Sequence, residues 1–173
     1  TMNGILNGEQ IVAFTGARQQ QTMKLYCITM DEFDVYPGMT GADCFSFSGM
    51  YTFTVGSTSW TDITNSIPID VYPFFITCGS NPNSVYFAGG SDASKPVVYR
   101  SDNGGTTWFS LFNTQNNQNI INGWSGHQGD REWTYGEYPL GFCSSGNSSQ
   151  YLAMTDLGFI HPSSDGGLTW RQN

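Results

Sequence analysis

The densest chemistry in the chain lies between Gly123 and Tyr138, where Trp124, Trp133 and Tyr135 alternate with His127, Asp130, Arg131 and Glu132. These residue types suit a sugar site. Aromatic faces stack on C–H surfaces, while carboxylates, guanidinium and imidazole bond hydroxyls. The same residues would also make a packed connecting loop, with Trp124 and Trp133 as its small core and Arg131 paired to a neighbouring acid. His127 and His161 are the only histidines, so a two-histidine metal site needs the fold to bring them together. Asp102 and Asp165 stand in Gly-rich turns, but offer too few of the roughly 6–8 oxygens that calcium takes. Gly-x-Ser-x-Gly, a P-loop, His-Glu-x-x-His and an EF-hand loop are all missing, and neither a metal nor another cofactor is expected.

What must hold such residues is a chain of 173, one domain or a piece of one. Charged residues make up 12% of it, against a usual ~25%. The net charge of −8 argues against a phosphate-binding nucleic-acid surface and against docking on anionic lipid. Aromatics at 15% are too many for a disordered segment. No run of 18 apolar residues exists, so no membrane insertion is expected. The chain opens Thr1-Met2 without a signal-peptide pattern and stops just after a strand signal, which suggests a processed or partial chain.

Cys27, Cys44, Cys78 and Cys143 show neither a Cys-x-x-Cys pair nor a zinc spacing. Buried thiols and one or two disulfides both fit, and the sequence does not choose among three pairings. Asn147-Ser148-Ser149 is a glycosylation triplet that matters only in a secretory pathway.

An internal repeat organises the rest. Ser101 to Trp108 reads Ser-Asp-Asn-Gly-Gly-Thr-Thr-Trp, and Ser163 to Trp170 reads Ser-Ser-Asp-Gly-Gly-Leu-Thr-Trp. Phe53 to Trp60 is a weaker copy keeping the Trp and nearby hydroxyls. Upstream, 78–88 aligns with 143–153, pairing Cys78 with Cys143. Each unit reads as four strands with the box on the last hairpin. Gly supplies positive φ, Asn or Asp accepts turn N–H groups, Thr favours the departing strand, and Trp covers the turn. Four strands cannot bury their faces alone, so such units stack.

The boxes resemble the Asp-box (BNR) repeat of β-propellers, which sialidases, xyloglucan-type endoglucanases and sortilin-like receptors carry. The resemblance implies an all-β propeller of four-stranded antiparallel blades, about three and a half in this chain. Approximate units are 1–36, 37–66, 67–112 and 113–173. In the first, 10–18 and 23–30 look like strands two and three of a blade whose box has decayed to 31–34. The box residues Ser101, Asn103, Gly105, Thr107 and Trp108, with Ser163, Asp165, Gly167, Thr169 and Trp170, are then structural.

In such a propeller, the turns from strand two to three and the passages between blades form the ligand face. That assigns Trp124, His127, Arg131, Trp133 and Tyr135 to ligand binding. Thr155-Asp156-Leu157-Gly158 looks like the Thr-Asp-x-Gly stretch in which xyloglucan-type endoglucanases carry a catalytic Asp. Asp156 with Asp130 or Glu132 would supply the two carboxylates of a glycoside hydrolase, or Asp156 simply caps a turn. The resemblance implies a secreted or cell-surface module that binds a glycan or a protein. A glycoside hydrolase or its remnant, and a component of an extracellular assembly, are the alternatives. A remaining propeller segment or a partner chain is expected to complete the ring.

Overall fold

A computed structural model describes residues 9–31, 47–91, 96–113, 141–145, 148–156 and 159–171. The first sheet holds β1 (Glu9–Gln19), β2 (Thr22–Asp31), β3 (Phe47–Thr54) and β4 (Thr61–Asp62), in that spatial order. The second holds β5 (Val71–Cys78), β6 (Val85–Ser91), β7 (Pro96–Ser101) and β8 (Phe109–Asn113). The third holds β9 (Gly141–Ser145), β10 (Ser148–Asp156) and β11 (Phe159–Ser163). Trp170 begins its outer edge, where the Arg171 N–H donates to the Pro162 carbonyl at 3.0 Å. Neighbouring strands pair antiparallel throughout. The four-stranded antiparallel all-β architecture expected from the repeat is therefore present.

Two expectations are corrected. Among the described residues, strands within 10–18 and 23–30 are the first and second of their sheet, not the second and third, and β3 and β4 follow them in that sheet. The reason is that β2 pairs onward with β3, which leads straight into the 53–60 hairpin. The alignment of Cys78 with Cys143 also slips. Val85 opposes Ser101 and Cys78, whereas Leu152 opposes Ser163 and Ser144. Ser144, not Cys143, is thus the counterpart of Cys78. Cys78 is buried toward the first sheet and Cys143 is exposed. A shift of one residue in a strand sends the side chain to the opposite face.

The sheets stack in chain order with their first strands side by side and running the same way. The Cys78 N–H donates to Thr15 Oγ1 at 3.2 Å, and the Ser144 hydroxyl donates to the Cys78 carbonyl at 2.6 Å. Between sheets one and two lie Tyr26, Ile28 and Met50 against Ile76, Cys78, Val85, Phe87 and Val97. Between sheets two and three lie Tyr86, Ala88, Val98 and Phe112 against Leu152, Met154 and Trp170. Each large apolar side chain fully buried this way contributes about 1.5–3 kcal/mol. Strand alternation sends odd and even positions to opposite faces, so β6 feeds both cores, with Phe87 toward one and Tyr86 toward the other.

All three box-like segments occupy the same hairpin, between the third strand of a sheet and its outer edge. In the second sheet, Asn103 Oδ1 accepts from the Thr106 and Thr107 N–H groups and the Ser101 hydroxyl, while Ser101 Oγ accepts from the Gly105 N–H at 2.8 Å. Asp165 and Ser163 repeat this pattern around Gly167 and Thr169. Gly104, Gly105, Gly166 and Gly167 take positive φ, which other residues adopt only under strain. The boxes are also joints between sheets. Trp108 Nε1 donates to Ser66 Oγ beyond β4, and Trp170 Nε1 donates to the Leu111 carbonyl on β8. In the first sheet Phe53 stands where the others have serine, and the Trp60 ring packs against it instead, tilted by 41° with centroids 5.3 Å apart.

Candidate functional site

The box hairpins gather at one end of the stacked sheets. At the opposite end, β1, β5 and β9 begin, β2, β6 and β10 stop, and β3, β7 and β11 start. Glu9 opposes Asp31 there in the first sheet, and Asp156 closes β10 opposite Phe159 in the third. β8 stops and β9 starts at this end as well.

The described chemistry of this end centres on Glu9. The Ser48 hydroxyl donates to its Oε1 at 2.5 Å, and the Thr29 hydroxyl to its Oε2 at 2.9 Å. The Tyr51 hydroxyl spans both oxygens at 3.1 and 2.9 Å. These donors sit on β2 and β3, so one carboxylate ties three strand ends together. Gly49 makes the geometry possible: a Cβ there would stand 2.8 Å from Tyr51 Cε2 and 3.0 Å from its hydroxyl. Charge-assisted hydrogen bonds of this kind contribute about 1.5–3 kcal/mol each. The arrangement holds a carboxylate in a fixed position at this end of the sheets.

The two buried thiols are poor nucleophiles. Burial pushes Cys27 up to about 12, with the Glu9 charge adding to it and the Tyr51 backbone N–H working against it. Burial likewise pushes Cys78 up to about 11, against the hydrogen bond to Thr15. Cys27, Cys78 and Cys143 form no disulfide with one another, and Cys44 lies outside the described residues.

Asp156 is the one expected catalytic residue among the described positions, and it closes β10. Trp124, His127, Asp130, Arg131, Glu132, Trp133, Tyr135 and the Asn147 triplet's acceptor lie outside the described residues. His161 is buried on β11 opposite Met154, on the face turned to the second sheet rather than to the loops. Among the described residues, no three His, Cys, Asp or Glu side chains gather as metal ligands, and no helix is long and apolar enough to cross a membrane. Glu9 was missed by sequence reading because its partners lie 20 to 42 residues away in no motif. The available signal was a glycine two positions before a tyrosine inside a strand, Gly49 and Tyr51.

Antiparallel sheets stacked face to face, first strands side by side and one repeated outer hairpin per sheet, define a β-propeller. The described sheets are three consecutive blades of it. Solved structures share the fold. The GH74 xyloglucanase from Xanthomonas campestris matches with TM-score 0.62 and 13% identity, over 98% of this chain and 23% of that one. The GH74 enzyme of Niastella koreensis matches with TM-score 0.53 and 18% identity, over 86% of this chain and 21% of that one. The chain spans less than a quarter of the length of either. No protein-family model matches the sequence, and no curated protein matches it.

Proposed function

We propose that the chain is a segment of an Asp-box β-propeller, secreted or at the cell surface, that binds a glycan at the end opposite the box hairpins. The observation carrying this reading is the segregation of chemistry. Both complete boxes spend their polar groups on their own turns at one end. Glu9, Asp31 and Asp156 end or begin strands at the other, where β8 also ends and β9 begins. On this reading the rings between Trp124 and Tyr138 serve the same end, and aromatic rings beside carboxylates suit a polyhydroxylated ligand. Units 67–112 and 113–173 then correspond to the second and third blades, and further blades complete the ring.

The likeness to a xyloglucanase makes xyloglucan oligosaccharide the first probe. Calorimetric titration is expected to show binding that Trp124→Ala and Trp133→Ala each weaken by about tenfold, consistent with about 1–2 kcal/mol per stacked ring. Unchanged affinity in both variants would remove the site from this loop.

Asp156 at a strand end favours a second reading as a glycoside hydrolase, with Asp130 or Glu132 as the other carboxylate. Reducing-end release from xyloglucan that Asp156→Asn abolishes would select it. Binding without release selects the binding module.

A further inference from the structure

An Asn-Gly pair readily modifies itself in an unfolded chain, because glycine has no side chain to keep its own nitrogen from attacking the asparagine Cγ. The second box contains such a pair, Asn103-Gly104, and the third contains the acid form, Asp165-Gly166. The fold ties down both glycines in the same way. The Gly104 N–H donates to the Asn83 carbonyl at 2.9 Å, and the Gly166 N–H donates to the Gln150 carbonyl at 2.9 Å. Asn83 and Gln150 hold equivalent places, each two residues before the counterparts Val85 and Leu152. Each box is thereby fastened to the second strand of its own sheet, or to the residues leading into it.

Reaction at Asn103 needs the Gly104 nitrogen deprotonated and aimed at Cγ. The closed box meets neither need. Gly104 is buried, and loss of its proton would leave a bare charge against the Asn83 carbonyl oxygen. The Asn103 amide is pinned as well. Its Oδ1 accepts from the Ser101 hydroxyl and from the Thr106 and Thr107 N–H groups, and its Nδ2 donates to Thr107 Oγ1 at 2.8 Å. Yet Asn103, Thr106 and Thr107 are exposed, so this hairpin can open locally while the sheets stay folded.

We propose that Asn103 is a modification site gated by its own box, unreactive while the hairpin is closed and deamidated when it opens. The step needs only water. The Gly104 nitrogen gives its proton to hydroxide and bonds to Cγ; the Cγ–Nδ2 bond breaks, and that nitrogen leaves as ammonia. Water then opens the cyclic imide at either carbonyl. Opening at Cγ yields aspartate, and opening at the main-chain carbonyl yields isoaspartate. The two products have different fates. Aspartate can accept the same N–H groups, as Asp165 does in the third box with the Thr169 N–H and hydroxyl donating. Lys24 Nζ, 2.9 Å from where a Cβ on Gly104 would stand, offers the new charge a cation. Isoaspartate adds a carbon to the backbone and misfits a turn whose bonds span two to four residues. Opening therefore converts this box to the acid form or destroys it. The proposal rests on the box geometry and not on glycan binding.

Peptide mass spectrometry on the full chain, held at mildly alkaline pH, reads the replacement of ammonia by water at position 103. Labelling with an isoaspartate methyltransferase separates the two products. Unfolded in guanidinium chloride, Asn103 should convert about as fast as Asn3, Asn7 and Asn122, each also followed by glycine. In the folded chain it should convert at least about tenfold more slowly than in denaturant. Ser101→Ala removes the hydroxyl that bonds both Asn103 and Gly105, and should speed conversion in the folded chain at least about threefold. If that variant does not fold, sub-denaturing guanidinium on the unchanged chain should raise the rate in the same direction. Asn103→Asp should keep the parent's unfolding midpoint at neutral pH. Equal rates in folded and unfolded chain, an inert Asn103 in denaturant, or no acceleration on loosening the box would each overturn the gating. A lowered midpoint in Asn103→Asp would overturn the fit of the aspartate product.

Discussion

Leu111 seals the turn at Gly167 in the neighbouring blade, its Cδ1 lying 2.7 Å from where a Cβ on that glycine would be. Ile63 does the same at Gly105, at 2.5 Å. Both glycines also need φ near +90°, at 87° and 89°. One residue type therefore meets two demands at once, a left-handed backbone and an empty space for the adjoining blade.

The first prediction follows from that coincidence. Gly167→Ala should lower unfolding free energy by about 2–4 kcal/mol, combining backbone strain with overpacking. Leu111→Ala should cost less, about 1–3 kcal/mol, because Leu111 is only half-buried. The double variant should lose less than the sum of the two, since removing the plug relieves the clash. Urea denaturation of the four proteins measures the cycle, and strict additivity would show that plug and socket are not coupled.

A second prediction contrasts Asn103 with Asp165. In one box the Asn103 amide donates to Thr107 Oγ1; in the other the Thr169 hydroxyl donates to the Asp165 carboxylate. Desolvation raises the Asp165 pKa, but the hydrogen bonds from Thr169 and Ser163 outweigh it, and the group is held below its ordinary value. A lowered folded value means stability that is present above the ordinary carboxylate range and lost as pH falls through the folded value. Asp165→Asn should remove that acid-side slope. The group is close to solvent, so the effect is under about 1 kcal/mol. Thermal melts between neutral and acid pH report it, and parallel curves for the two proteins would refute it.

Thiol chemistry gives a third test. In dilute protein at mildly alkaline pH, Cys143 should react promptly with a disulfide reagent. Cys27 and Cys78 should react only on unfolding, because both are buried and held at about 12 and about 11. Peptide-resolved labelling separates the three, and rapid labelling of Cys27 would mean the first blade opens readily.

The Glu9 knot yields a fourth. Tyr51→Phe should cost about 1–3 kcal/mol through lost charge-assisted bonds. Gly49→Ala should cost as much without removing a polar group, by pushing the Tyr51 ring off Glu9. If Gly49→Ala is neutral in denaturant unfolding, the ring is not held where the geometry puts it.

Much of this was legible in the residues. The two full boxes close through bonds spanning two to four residues, so Ser101 to Trp108 and Ser163 to Trp170 announce their own turns. Stacked four-stranded sheets follow from repeating such units. The candidate site was less legible. Asp156 was singled out by a local motif, whereas Glu9 meets its donors only after three strands pair.

Local chemistry, then, decided the turns, the strand class and the repeat, because each depends on neighbours a few residues away. Register and facing were left to the tertiary structure. Alternation repeats every two residues, so Val85 to Ala88 and Gln150 to Ala153 align convincingly in a pairing that the sheets do not use. Only the hydrogen-bonded opposition of Val85 to Ser101 and of Leu152 to Ser163 selects the true register. That choice buries Cys78, exposes Cys143 and turns Ile160 outward, and it rests on contacts that exist only once the sheets have packed.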